Sequence, residues 1–86
     1  MSDTTIYDQV WAVKISEVRS FFSNLGYELN DDQYMSNGLN IIISEETSLF
    51  LCGKEMPRCR VIIKGESAIA KHVHKSFELK FLSAGG

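Results

Sequence analysis

Val18, Phe21, Phe22 and Leu25 fall at i, i+3, i+4 and i+7, so they line one stripe of a helix, and the spacing predicts that helix over residues 16–26. Ser16 is a residue type that caps a helix start, and Gly26 suits the left-handed position just past a helix end. Upstream, Gln9 to Ile15 supports two readings. As a strand it places Trp11, Val13 and Ile15 on one face, in keeping with the β-branched Val10, Val13 and Ile15. As a helix it joins Tyr7, Trp11, Ile15, Val18, Phe22 and Leu25 into one stripe over about residues 5–25. The strand is the preferred expectation.

Past Gly26 the pattern turns to short extended pieces. Tyr27-Glu28-Leu29 opens a strand that runs into the polar Asn30-Asp31-Asp32, and Asn37-Gly38 is a turn signal before the β-branched run Leu39 to Ser44. Glu45-Glu46 separates that run from Ser48 to Cys52, which predicts an antiparallel hairpin between the two. Gly53 and Pro57 break the chain again ahead of a strand from Cys59 to Lys64. Glu66 to Lys75 reads as a short helix with Ile69 and Val73 inward. The alternation of Phe77, Leu79 and Phe81 with Glu78 and Lys80 reads as a last half-buried strand. Ser83-Ala84-Gly85-Gly86 reads as a mobile tail. Setting Val13-Lys14 on Ile63-Lys64 also sets Tyr27-Glu28-Leu29 on Phe77-Glu78-Leu79, the register that a duplicated β-α-β unit would give. The expected fold class is α+β: an antiparallel sheet with one main helix, β-α-β-β-β followed by a partial β-α-β repeat.

Composition bounds what such a fold can be. An 86-residue chain is expected to form a single domain over residues 1–86. Chains of this size bury only about 60–65% of the surface they expose when unfolded, so the core is thin. An apolar share of 44% with nine aromatics argues for a real core, and a thin core gains from association with a second copy, so a homodimer is expected. No apolar run approaches the roughly 20 residues that span a bilayer, which excludes a helical membrane protein. The acidic start Met1-Ser2-Asp3 lacks the basic, then apolar, pattern of a secretory signal, and a cytoplasmic location is expected. The net charge of −2 hides a split. Residues 1–47 hold eight acids and two bases (−6), and the remainder holds three acids and seven bases (+4).

Candidate chemistry is sparse. Cys52, Cys59, His72 and His74 are a zinc-type donor set, but their Cys-x6-Cys-x12-His-x-His spacing lacks the close cysteine pair of structural zinc sites. Two buried thiols and two surface histidines are the simpler account. A Cys–His nucleophile would need an activated thiolate and an oxyanion hole that no local motif announces. Asp31 and Asp32 read as turn residues rather than an acid/base couple. The bases Arg58, Arg60, Lys64, Lys71, Lys75 and Lys80 could follow a nucleic-acid backbone, but Phe77 and Phe81 beside them read as core, so nucleic acid is not the expected partner. Trp11, Tyr34 and Met35, aromatic or soft side chains near strand ends, are the ligand-binding candidates, with core or dimer interface as their alternative role. No catalytic residue, metal ligand or cofactor is assigned.

The succession Val13 to Val18, Phe21-Phe22-Ser23-Asn24-Leu25-Gly26-Tyr27-Glu28-Leu29 and Ser48 to Cys52 resembles the vicinal oxygen chelate superfamily of glyoxalase and bleomycin-resistance proteins. The resemblance implies a strand, a helix ending in Leu-Gly-aromatic and three antiparallel strands around a cleft, completed by a second copy. It places Val10 near the position of the first metal-binding histidine and puts no glutamate on the Thr47–Cys52 strand, which implies the metal-free, ligand-holding branch. Separately, Gly85-Gly86 resembles the tail of ubiquitin-like and sulfur-carrier proteins. The sequence offers no opening β-hairpin of the β-grasp kind, and an ordinary chain end or cloning remnant is the plainer reading. The expected function is binding rather than catalysis, with a small molecule held in an interface cleft. The alternative is a protein–protein interaction module, an inhibitor or accessory factor, that uses a strand edge and its charged faces.

Overall fold

The computed structural model describes residues 3–36 and 38–85. Six elements follow in order: β1 (Thr4–Trp11), α1 (Ile15–Asn24), β2 (Gln33–Ser36), β3 (Leu39–Leu51), β4 (Lys54–Glu66) and α2 (Ser67–Gly85). The strands form one antiparallel sheet in the order β1-β4-β3-β2, so β1 and β2 are its two edges. Both helices lie on the same face. The α+β class and the antiparallel sheet are as the sequence predicts, but the strands are divided differently: 27–29 form none, 39–44 and 48–51 belong to one strand, β3, and 59–64 lie in β4. A second long helix stands where the helix and last strand of the partial β-α-β repeat were expected.

The strand reading of the N-terminal segment holds, but its frame moves. Thr5, Tyr7, Gln9 and Trp11 lie opposite Gly65, Ile63, Val61 and Cys59 of β4 and face the helices. Val13 lies in the connection and Ile15 begins α1, both packed against the core from outside the sheet. Strand pairing had to start at Thr4 because β4 offers a ladder of eight residues there.

α1 buries Val18, Phe21 and Phe22 as the stripe requires. Its N-cap is Lys14, without a side-chain cap, and Ser16 is already helical. Its end is a full Schellman stop: Gly26 sits at φ 95°, Gly26 N–H donates to Ser23 O, and Tyr27 N–H donates to Phe22 O. Tyr27 to Leu29 then cross irregularly rather than as a strand. Asp31 and Asp32, both at positive φ, form a primed two-residue turn in which Asn30 and Gln33 exchange backbone hydrogen bonds of 2.8 and 3.0 Å. That delays β2 to Gln33.

β2 joins β3 through a turn that contains Gly38 at φ 91°, with Ser36 opposite Leu39; Asn37, the other turn residue expected from sequence, lies outside the described residues. β3 is continuous through Glu45-Glu46, so the hairpin expected within it does not form. Its partner is β4, reached by a primed turn at Cys52 (φ 54°) and Gly53 (φ 77°). The register shifts once, between Glu46 and Leu49, and Pro57 falls opposite that irregularity. A proline has no N–H to give a ladder, so a bulge is where it can sit without ending the strand.

α2 replaces both the short helix and the last strand. Ala70, Val73, His74 and Phe77 are buried and Phe81 half-buried, a spacing of three and four residues, whereas Leu79 is exposed. Phe77 touches four other rings, Trp11, Phe21, Phe22 and Phe81, with centroids 4.5 to 5.8 Å away. The 50-residue repeat is therefore not structural: Val13-Lys14 lie in a connection and Ile63-Lys64 mid-strand, while Tyr27 to Leu29 are irregular and Phe77 to Leu79 helical. Ser83 to Gly85, expected as tail, fall within α2, and Gly86 lies outside the described residues.

Candidate functional site

Alternation along the strands gives the sheet two unlike faces. The covered face holds Leu39, Ile41 and Ile43 of β3 with Cys59, Val61 and Ile63 of β4, all buried under the helices. The register turns the intervening residues to the open face: Ile6, Asp8 and Val10 of β1, Arg60, Ile62 and Lys64 of β4, Asn40, Ile42 and Ser44 of β3, Met35 of β2. Ile6, Val10, Met35 and Ile42 are exposed there, as are Leu49 and Met56, which pair with each other further along. Arg60 Nε donates to Asp8 Oδ1 at 2.8 Å, with a second bond from the same guanidinium to Oδ2. That bond holds the Asp8 carboxyl below the usual carboxylate range. The open face is thus a mixed apolar and ionic surface with a column of bases on β4.

The β3–β4 ribbon runs past both edge strands, since β1 reaches only Cys59–Glu66 and β2 only Leu39–Ile42. Its tip carries Phe50, 71% exposed, and the turn residue Cys52. Cys59 lies buried midway along β4, where burial pushes its thiol up and away from the reactive thiolate. His72 is exposed on α2. The four donors of the zinc-type set are therefore dispersed, and among the described residues no cluster of three or more such donors forms.

His74 is buried, contrary to the surface position expected for it. Its ring stacks on Tyr7 at 3.9 Å, its Nε2 lies 2.9 Å from Gln9 Oε1, and its Nδ1 lies 2.9 Å from Glu78 Oε1. This cluster fastens α2 to β1. The polar Gln9 and His74 explain why neither element looked wholly apolar inward. Asp31 and Asp32 serve a turn, as expected. Asp32 also takes two hydrogen bonds from Arg19, at 2.6 and 3.1 Å, which lower its pKa.

The ligand-binding candidates stand apart. Trp11, on one edge strand, packs edge-on against Phe77. Tyr34, on the opposite edge strand, packs against Tyr27, and Met35 beside it points to the open face, 73% exposed. A groove of about 820 Å³ lies between α1 and the C-terminal part of α2, lined by Ala12, Val13, Phe21, Leu25, Lys80 and Phe81 among others, and none of the three candidates lines it. The bases are also split, with Arg60 and Lys64 on the open sheet face and Lys71, Lys75 and Lys80 on α2. Among the described residues no helix is long and apolar enough to cross a membrane.

No curated protein matches the chain significantly. A family model described as archaeal MoaD-like protein matches residues 8–86, the whole fold except the start of β1, and runs through the Gly85-Gly86 pair. This overturns the resemblance to the glyoxalase and bleomycin-resistance proteins. The phrase that carried it, Phe-Phe-x-x-Leu-Gly-Tyr, is what any helix with two inward rings and a Schellman glycine spells. The chain belongs to the archaeal MoaD-like protein family.

Proposed function

We propose that this chain is a non-catalytic carrier protein of the sulfur-carrier and ubiquitin-like kind, docked upon by enzymes and charged at its diglycine end. The observation that carries the reading is the family match over residues 8–86, which includes Gly85-Gly86. A carboxylate at Gly86, encoded or exposed by cleavage, would attack the α-phosphate of ATP to give an acyl-adenylate and pyrophosphate. A hydrosulfide-equivalent donor would then displace AMP and leave a thiocarboxylate. Both glycines lack a side chain, so the end can thread a narrow cleft. Gly85 closes α2, and glycine is about 1 kcal/mol worse than alanine in a helix, so unwinding that end costs little. The zinc-type donors are dispersed, the Cys59 thiol is buried, and Cys52, exposed at the ribbon tip rather than buried as expected, has no His beside it in the sequence.

The test is intact-mass spectrometry of the full chain incubated with ATP and an activating enzyme from the same source. The expected products are an AMP adduct and, with a sulfur donor, replacement of one oxygen by sulfur, both lost when Gly85-Gly86 is deleted. An activating enzyme that charges another carrier but leaves this chain unmodified would sink the reading and favour a module that acts by docking alone.

A further inference from the structure

The sheet has free edges in four places, and they are not alike. Of the two outer sides of the β3–β4 ribbon, β4 carries Pro57 with the charges Lys54 and Glu55, and β3 carries Glu45, Glu46 and the register shift between Glu46 and Leu49. Each of these discourages a further strand. β2 is four residues long. β1 is different: eight residues in unbroken register with β4, without proline, lysine, arginine or bulge. It is the one long edge among the described residues without protection.

Its backbone polarity can be read from two bonds. Ser67 N–H donates to Asp3 O at 3.0 Å, and Glu66 N–H donates to Gly38 O at 2.9 Å. In an antiparallel ladder the pointing direction alternates by residue. The peptide groups of Thr5, Tyr7, Gln9 and Trp11 therefore turn to β4, and those of Thr4, Ile6, Asp8 and Val10 turn outward, where the described residues supply them no strand.

We propose that β1 pairs antiparallel with β1 of a second copy about a twofold axis at Tyr7, joining two four-stranded sheets into one of eight. This register sets Ile6 opposite Asp8 of the second copy and Thr4 opposite its Val10, so no like charges stand directly opposite, and the two Asp8 carboxylates meet only on a diagonal. Asp8, the only charged residue of the strand, is already neutralised by Arg60 within its own chain. Ile6 comes diagonal to the second copy's Ile6 and Val10, which gathers four side chains now 58% and 48% exposed into one cluster across the axis. Shifting the axis to Asp8 would oppose two carboxylates, and that register is disfavoured. A twofold, self-complementary strand needs no partner but itself.

Sedimentation of the full chain, with amide hydrogen exchange, tests this. The intact protein should run at twice the chain mass, and the amides of Ile6, Asp8 and Val10 should be protected although no acceptor among the described residues reaches them. Val10→Pro removes only an outward N–H, and Ile6→Lys places a charge on the edge. Both should halve the mass with an unchanged far-UV circular dichroism spectrum. If Val10→Pro does not fold, Ile6→Lys and the exchange data decide. A single-chain mass for the intact protein, a dimer that survives Ile6→Lys, or a dimer whose Ile6, Asp8 and Val10 amides exchange freely would each overturn the proposal.

Discussion

Ile41 and Ile42 are neighbours of the same type on the same strand, and they live in different solvents. Ile41 is fully buried beneath the helices, whereas Ile42 is 39% exposed on the open face. The same holds across β4, where Val61 and Ile63 are core and Ile62 between them is not. The runs Ile41-Ile42-Ile43 and Val61-Ile62-Ile63 look like fully buried strands, yet the helices cover one side only. A single helical layer makes an asymmetric sheet, and the apolar excess on its other side is surface available for docking.

Two neighbouring positions on α2 should differ most in what their loss costs. Phe77→Ala removes the ring at the centre of the aromatic cluster and should cost about 3–5 kcal/mol, read as a lower urea midpoint. Leu79→Ala, two residues on and 63% exposed, should cost within about 0.5 kcal/mol. Were the Phe77–Leu79–Phe81 alternation a strand, the two losses would be similar. On the sheet, Ile41→Ala should cost about 2–5 kcal/mol and Ile42→Ala about 1 kcal/mol or less. An Ile42 loss as large as that of Ile41 would mean that something covers the open face in solution, which sharpens the docking argument rather than the packing one.

The legibility of each element tracks how much of its signal was local. α1 was readable because one stripe and one glycine stop sit within eleven residues, and both are satisfied by neighbours in sequence. β1 was half readable. Its inward residues Thr5, Tyr7, Gln9 and Trp11 are polar or amphipathic, and Gln9 is explained only by His74, 65 positions away. The β3–β4 ribbon was misread because Glu45-Glu46 and Pro57 are local breakers, overridden here by a bulge and a thirteen-residue partner. α2 was misread because His74 counts as polar and Leu79 as apolar, the reverse of where they point. Of the candidate site, Gly85-Gly86 was visible but set aside for want of an opening β-hairpin. Among the described residues no such hairpin is found, since β1 leads directly into α1. The open face was not legible, because alternation says that a strand has two faces and not which one a helix will cover.

The two arginine–aspartate pairs, one on the open face and one beside the covered one, should matter least to stability. Asp8 and Asp32 each have a pKa lowered chiefly by hydrogen bonds, from Arg60 and Arg19 respectively. A carboxyl whose folded pKa lies below its unfolded value of about 3.9 stabilises the fold above that value, and the contribution is lost as pH falls through the folded pKa. Stability should therefore be flat down to mild acid and decline only below that value. All four side chains are partly exposed to water, between 32% and 49%, so the contribution is screened and should shrink as salt is added. Asp32→Asn and Asp8→Asn should each flatten the acid limb slightly and leave the neutral midpoint nearly unchanged. If β1 is paired with a second copy, the Asp8 pair sits at the margin of that interface. Asp8→Asn should then also change the dissociation of the dimer with salt, whereas Asp32→Asn, tied to α1, should not.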